Sequence, residues 1–262
     1  MKRKKCAMDE AFFAGVRLEQ AELSSGVRIE LPIRYQDWSA IMAHFPVPEA
    51  AVRNLLPSSR LKPVLLVPGT AILSMVAMEY RQIIEFAPYN EFGIMVPVLY
   101  EPKVSIPGLP LLFPHWFKRS GLYVHCLPVT TQAAYEVGTE VWGYPKIVAE
   151  IVFEDIGQVR RCQLRAEGKY ILTLDVEKGA TGFSKINFHS YTVKGGQLLR
   201  TLIQTRGDFN IARFRGGASF NLGDHPIAEE LRALGIGKTA VERRYLTNMQ
   251  SMLHPPGECM PL

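Results

Sequence analysis

The sequence predicts a mainly β protein at the border of the α+β class, built as an antiparallel β-barrel or curved sheet with a few short helices at its periphery. Two observations predict this class. From Leu61 onward, segments with strand-like alternation follow one another and are separated by glycine-containing breaks. Helical patterns are short, and no Gly-x-Gly-x-x-Gly follows a strand, which argues against an α/β nucleotide-binding fold.

The chain begins with a basic segment and continues as one domain. Residues 1–26 are predicted to be a leader that is loosely ordered. Its basic start, Met1 to Lys5, resembles the front of a signal peptide, but Asp9 and Glu10 interrupt it before an apolar segment develops. Residues 27–262 contain no repeat and no flexible linker, so we expect a single domain there.

Proline and glycine delimit two short helices. Pro48 to Leu56 predicts a helix with proline in its first turn, and Pro57 prevents its continuation. Ile227 to Leu234 predicts a second helix, because Pro226 precedes it and Gly235 follows it.

The predicted strands occupy the middle and the end of the chain. Three of them form an antiparallel meander over Ile147–Glu154, Gln158–Ala166 and Lys169–Val176. A glycine pair predicts a hairpin between His189–Val193 and Gln197–Gln204, because glycine accepts positive φ. In the same way, Gly216-Gly217 predicts a hairpin between Phe209–Arg215 and Ala218–Leu222.

Composition narrows the classes of function. The 262 residues are 47% hydrophobic and 21% charged, which is typical of a globular protein. The net charge of +5 is scattered along the chain, so no nucleic-acid interface is expected. The longest apolar run, Val64 to Met78, is too short to cross a bilayer, and we expect no membrane contact. Four separated cysteines predict free thiols and a cytoplasmic location: Cys6, Cys126, Cys162 and Cys259.

Several common catalytic motifs are absent. The chain has no phosphate-binding loop, no His-Glu-x-x-His and no Gly-x-Ser-x-Gly, and its histidines lack the spacing of metal ligands. The sequence therefore predicts neither a metal site nor a bound cofactor.

One lysine stands in an unusual setting. Lys146 ends the run Trp142-Gly143-Tyr144-Pro145-Lys146 and begins an apolar strand. A lysine at the start of a strand is ordinarily a solvated surface charge. An aromatic and apolar environment instead disfavours the ammonium and leaves more of the nucleophilic amine. Lys146 is therefore the candidate nucleophile.

The segment around Lys146 resembles the acetoacetate decarboxylase superfamily. That family has a Gly-x-Glu-x-x-x-Tyr-Pro-Lys signature, and this chain matches it with Gly138, Glu140, Tyr144, Pro145 and Lys146. The resemblance implies that Lys146 forms an imine with a substrate carbonyl. It also implies the family's barrel fold, no cofactor and a homo-oligomeric assembly.

A second segment extends the resemblance. Glu91 begins a Glu-x-Gly-x-x-x-Pro-Val run similar to the family segment whose glutamate faces the reactive lysine, so Glu91 is the second catalytic candidate. Weaker matches extend the similarity over residues 40–255. Tyr144, Trp142 and Glu140 are assigned to the substrate pocket, with Glu140 also open to a purely structural role.

Three positions depart from the family pattern. Decarboxylating members have a second lysine directly after the nucleophile, where this chain has Ile147. Trp38 stands where those members carry a carboxylate-binding arginine, and Arg34 is the nearest possible replacement in the substrate pocket. An expected acidic residue falls near Ser74. Activation of Lys146 is therefore predicted to come from desolvation by Trp142, Tyr144 and Ile147.

Three functions follow from this sequence. The leading one is a lyase that decarboxylates a small β-keto acid, such as acetoacetate, through the Lys146 imine. The second is a Schiff-base aldolase or dehydratase acting on pyruvate or another keto acid. The third is a barrel that binds a small hydrophobic acid without catalysis, since a fold alone does not determine function.

Overall fold

The computed structural model describes residues 10–104, 106–113 and 116–262. Its helices are α1 (Glu49–Arg53), α2 (Leu109–Leu112), α3 (Gln132–Trp142) and α4 (Pro226–Ala233), with a 3₁₀ turn at Glu10–Phe12. Its strands are β1 (Glu19–Glu22), β2 (Arg28–Leu31), β3 (Ile33–Pro48), β4 (Leu61–Pro63), β5 (Leu65–Val67), β6 (Thr70–Ile83), β7 (Tyr89–Tyr100), β8 (Ser120–Val129), β9 (Lys146–Val148), β10 (Glu150–Ile156), β11 (Val159–Ala166), β12 (Lys169–Glu177), β13 (Gly182–Lys194), β14 (Gln197–Arg213), β15 (Ala218–Leu222) and β16 (Glu242–Pro261).

Seven of the described strands close into a barrel, which confirms the predicted fold class. Its order is β7-β6-β3-β16-β14-β13-β8, and pairing of β8 with β7 closes the ring. Most neighbours are antiparallel, but β8 pairs in parallel with both β13 and β9. Closure leaves the seven strands of the ring without a free edge.

A second sheet of four strands, in the order β10-β11-β12-β15, packs beside the barrel. Its first three strands are the predicted antiparallel meander. The structure divides the first predicted strand at Ala149, between β9 in the barrel sheet and β10 in the second sheet.

Of the two predicted hairpins, one is confirmed and one is wrong. β13 and β14 pair across Gly195 and Gly196 as expected. The hairpin predicted at Gly216-Gly217 does not form, because β15 pairs with β12 in the second sheet. The end of β14 beside this turn, residues 210–213, pairs with β16 instead, and β15 extends the second sheet next to β12.

Each side of the barrel wall contributes to a separate apolar core. Along β3, Ile41, Ala43 and Phe45 face the core between the two sheets. Tyr35, Trp38, Ala40 and Met42 belong to the core inside the barrel. The ladder of β3 and β6 shifts register between Tyr35 and Trp38, and this irregularity changes which alternate residues point inward.

The sequence predicts two of the four described helices, α1 and α4, and neither α2 nor α3. α4 lies within one residue of its predicted ends, and α1 ends three residues before its predicted end at Leu56. Gly235 follows α4 with φ of 67°. α3 was not predicted. Its signals are Thr131, whose side chain caps the first turn, and Gly143, which ends the helix in the left-handed region. No helix in the described ranges is long and apolar enough to cross a bilayer.

The predicted leader is described only from residue 10 onward, and residues 1–9 lie outside the described part. β1 lies within the predicted leader and pairs with β2, which follows the leader. The Leu23 side chain is buried in the core inside the barrel. The division at residue 26 stays a prediction. Cys126, Cys162 and Cys259 are free thiols, while Cys6 lies outside the described residues.

Candidate active site

The turn after α3 determines where Lys146 lies. Gly143 has φ of 65°, and a Cβ there would lie 2.6 Å from the Val193 carbonyl oxygen, so the turn requires glycine. Tyr144 then donates its backbone N–H to the Gly138 carbonyl at 3.1 Å. The chain therefore folds back along α3, and Lys146 begins β9 opposite Leu127 of β8.

Gly138 makes room for the lysine side chain on the surface of α3. A Cβ at residue 138 would lie 2.3 Å from Lys146 Cε, 2.6 Å from Cδ and 2.7 Å from Nζ. These separations are well below normal contact between carbon atoms. The glycine eight residues before the lysine is therefore needed for space, which is a physical reason for this part of the sequence motif.

Lys146 and Glu91 form a buried ion pair. Lys146 Nζ donates to Glu91 Oε2 at 2.9 Å, and the two side chains are only 5% and 9% exposed. Glu91 reaches this position from β7, and the rings of Tyr89 and Tyr144 lie 5.7 and 5.8 Å from Nζ. Transfer of one proton within this pair leaves a free amine next to a carboxylic acid, without changing the net charge of the site.

The pair opens on a cavity of about 100 Å³ inside the barrel. Aromatic side chains form much of its wall, and burial raises the pKa of its tyrosine hydroxyls, which therefore stay protonated at neutral pH. The aromatic lining residues are Tyr35, Trp38, Tyr80, Phe86, Tyr89, Trp142, Tyr144 and Phe188.

Most polar groups of the aromatic wall already have partners. The Tyr35 and Tyr89 hydroxyls lie 3.1 Å apart, and the Tyr144 hydroxyl lies 2.8 Å from Ser190 Oγ. The Trp142 indole donates to the His254 carbonyl at 2.7 Å. The structure thus places Trp142 and Tyr144 in the cavity wall, where the sequence assigned them.

Two predicted pocket residues lie elsewhere. Arg34 donates to Glu85 and Glu30, each at 2.7 Å, and does not line the cavity because the alternation of β3 turns it away between Ile33 and Tyr35.

Glu140 also lies outside the cavity wall. It accepts two hydrogen bonds from Ser24, from the backbone N–H and from Oγ, each at 2.7 Å. These bonds lower the pKa of its carboxyl group. Glu140 therefore connects α3 to the turn between β1 and β2.

Two of the departures from the family pattern also face away from the cavity. Ile147 follows Lys146 in a strand, so it points the other way and packs against the core between the two sheets. The prediction that Ile147 desolvates Lys146 is therefore wrong. Ser74 is fully buried and lies 2.7 Å from His44 Nδ1. Tyr144 and Trp142 remain as desolvating groups, joined by aromatic residues that the sequence did not single out.

Trp38 and Tyr80 are the most informative of these additional residues. They lie opposite each other on β3 and β6, and both line the cavity. The Trp38 indole nitrogen is buried and has no hydrogen-bond partner among the described residues. Trp38 could be found from the sequence, because it stands at the position of the family's carboxylate-binding arginine. No motif or neighbouring residue in the sequence indicated Tyr80.

Few charged side chains line the cavity. Among the described lining residues, Lys146 and Glu91 are the basic and acidic side chains, and none is an arginine. In the same described ranges, no three His, Cys, Asp or Glu side chains are grouped so that they could hold a metal ion.

Sequence comparison gives one family. Residues 20–255 match the sequence model of the family described as acetoacetate decarboxylase (ADC). No curated protein matches the chain.

Comparison with solved structures gives the same fold at low identity. The acetoacetate decarboxylase of Legionella pneumophila subsp. pneumophila str. Philadelphia 1 is 16% identical, with 87% of each chain covered and a TM-score of 0.61. The enduracididine biosynthesis enzyme MppR complexed with pyruvate is 13% identical, with 86% of this chain and 89% of that chain covered and a TM-score of 0.59. An acetoacetate decarboxylase-like enzyme from Sphingomonas wittichii RW1 is 14% identical, covering 88% and 93%, with a TM-score of 0.51.

Proposed function

Because the chain belongs to the acetoacetate decarboxylase family, we propose that it is an imine-forming lyase that removes carbon dioxide from a small β-keto acid at Lys146. The observation that carries the proposal is the buried pair of Lys146 and Glu91, 2.9 Å apart, on an aromatic cavity. A buried amine beside a proton acceptor, open to a small cavity, has the requirements of an imine-forming nucleophile.

Imine formation begins with proton transfer within the pair. Glu91 takes a proton from the Lys146 ammonium, and the free amine attacks the keto carbon. A carbon–nitrogen bond forms as the carbonyl π bond breaks, and a second proton passes from the nitrogen to the oxygen, which becomes a hydroxyl. Glu91 returns that proton to the departing hydroxyl, which leaves as water. The product is a protonated imine beside an ionised Glu91, so the charge of the pair is preserved.

Decarboxylation then uses the protonated imine as an electron sink. The bond between the α-carbon and the carboxylate breaks, its electrons form the enamine, and carbon dioxide leaves. Glu91, protonated again from solvent, donates a proton to the enamine carbon. Water hydrolyses the resulting imine to the ketone and regenerates the Lys146 ammonium, with one proton consumed in each turnover.

The apolar wall favours this direction of reaction. A carboxylate loses much of its hydration in such a cavity, whereas carbon dioxide is neutral and loses little. Loss of carbon dioxide therefore relieves an unfavourable charge, provided that no cation compensates it. Among the described lining residues none does so apart from Lys146 itself.

Borohydride trapping with acetoacetate and, separately, pyruvate tests this proposal. We expect acetoacetate to leave a reduced adduct on Lys146, located by peptide mapping, and to release carbon dioxide without borohydride. Lys146→Ala should abolish both results. Lys169→Ala is the matched control, because Lys169 also begins a strand but is exposed.

The other outcomes separate the remaining functions. A pyruvate adduct on Lys146 without release of carbon dioxide from acetoacetate would contradict decarboxylation and favour an aldolase or dehydratase. MppR, whose fold this chain shares, was solved with pyruvate, which is why pyruvate is tested beside acetoacetate. No adduct with either acid would contradict imine chemistry and favour a barrel that only binds its ligand.

A further inference from the structure

We propose that Trp38 and Tyr80 form a neutral donor pair that binds the carboxylate of the substrate, in the place of a cationic side chain. This inference rests on the proposed function and specifies how its substrate is recognised. It makes Trp38 a specificity-determining residue for small keto acids.

The strand register places the two donors side by side. Trp38 of β3 and Tyr80 of β6 are direct cross-strand partners, and their ring centroids lie 5.7 Å apart. They are 7% and 8% exposed, and both line the cavity that contains Lys146. A ligand in this small cavity therefore meets both side chains.

The Trp38 indole N–H is a buried donor with no acceptor among the described residues. Leaving such a donor unsatisfied is costly, and buried indole groups usually have a partner. The Trp142 indole in the same wall follows that rule by donating to a backbone carbonyl. A ligand oxygen in the cavity would satisfy Trp38.

The Tyr80 hydroxyl is weakly engaged and can bind the same ligand. It donates to Met78 Sδ at 3.1 Å and, over a longer distance, to Glu91 Oε1 at 3.4 Å. A thioether is a poor acceptor, and 3.4 Å is long for a hydrogen bond between two oxygens. An anionic oxygen of the ligand therefore competes well for this hydroxyl.

Neutral donors suit a carboxylate that must leave. The arginine of decarboxylating family members binds the carboxylate as an ion pair, whereas two neutral hydrogen bonds orient it and leave its charge uncompensated. The combination binds the acid while retaining the tendency to lose carbon dioxide.

The test compares an acid with a neutral ketone in the same variant. In Trp38→Phe, which keeps an aromatic ring but removes the donor, we expect KM for acetoacetate to rise about 10- to 100-fold, the usual range for a lost hydrogen bond to a charged group. We expect kcat to change less than about threefold, since the lost interaction binds the ground state and the transition state alike. Borohydride trapping of acetone on Lys146 should keep its wild-type rate.

A control variant and the contrary results complete this test. Trp116→Phe changes a tryptophan that is 61% exposed and outside the cavity wall, and should leave KM unchanged. Tyr80→Phe should raise KM for acetoacetate and spare acetone trapping as well. An unchanged KM in Trp38→Phe, or an equal loss for acetoacetate and acetone, would overturn the donor role. Failure of the wild type to trap either compound would instead overturn the proposed function, and this inference with it.

Discussion

Replacing Gly138 with alanine tests the geometry of the site most directly. The new methyl group would lie 2.3 Å from Lys146 Cε, whereas carbon atoms pack best at about 3.5–4.0 Å. The lysine side chain must therefore move by about 1.5 Å. Misplacement of a reacting group by about 1 Å costs on the order of 100-fold in rate, so we expect kcat/KM to fall at least that far.

The same substitution has a limited effect on stability. Alanine in a helix is favoured over glycine by about 1 kcal/mol. Disrupting the buried pair of Lys146 and Glu91 costs about 3–5 kcal/mol if the lysine loses its partner completely. The net loss is therefore at most about 4 kcal/mol, below the total stability of most domains of about 5–15 kcal/mol.

The assays separate folding from chemistry. Urea unfolding should show a cooperative transition in Gly138→Ala. The rates of carbon dioxide release and of borohydride trapping at Lys146 should both fall sharply. Gly182→Ala is the matched control, since residue 182 has open space around its Cβ position and lies outside the cavity wall. If Gly138→Ala labels Lys146 at the wild-type rate, the reasoning about space above α3 is wrong.

Three further predictions address charge, acidity and hydrogen bonding. Glu91→Gln should slow imine trapping at Lys146 by about 100-fold or more, because it removes the proton acceptor; trapping at the wild-type rate would assign that role elsewhere. Burial, followed by nearby arginine charge, lowers the pKa of His44 from 6.5 to about 3, so the unfolded chain binds an extra proton between these values. Stability should therefore fall on acidification below pH 6.5, with His44 contributing up to about 1.4 kcal/mol per pH unit, and His44→Gln should flatten this slope in urea titrations at pH 4–7. Tyr144→Phe should cost about 1 kcal/mol through its bond to Ser190, and a double-mutant cycle with Ser190→Ala should give a coupling of similar size, whereas a coupling near zero would contradict the bond.

Much of the chemistry was accessible from local sequence. Lys146 and Glu91 stand in recognisable motifs, and the structure brings their side chains to 2.9 Å from each other. The hairpin at Gly195-Gly196 and the helix α4 each depend on the backbone conformation of neighbouring residues. Both could therefore be predicted without tertiary information. α3 has equally local signals, in its cap at Thr131 and in Gly143 at its end.

The wall of the cavity depended on the tertiary structure. Arg34 is close to Trp38 in sequence, yet a register shift turns Tyr35 and Trp38 inward and leaves Arg34 bound to glutamates outside the cavity. A shift of this kind arises from pairing with a neighbouring strand, so alternation within one segment does not predict it.

The amino-acid sequence alone therefore determined the β-rich class, the candidate nucleophile and its acidic partner, because each depends on a short motif or a local pattern. Only the tertiary structure decided that β15 pairs with β12, that Glu140 binds Ser24, and that Trp38 lies beside Tyr80. These features join residues that are distant in the chain. Their physical basis is pairing between strands distant in sequence, which sets the register that determines which side chains face inward.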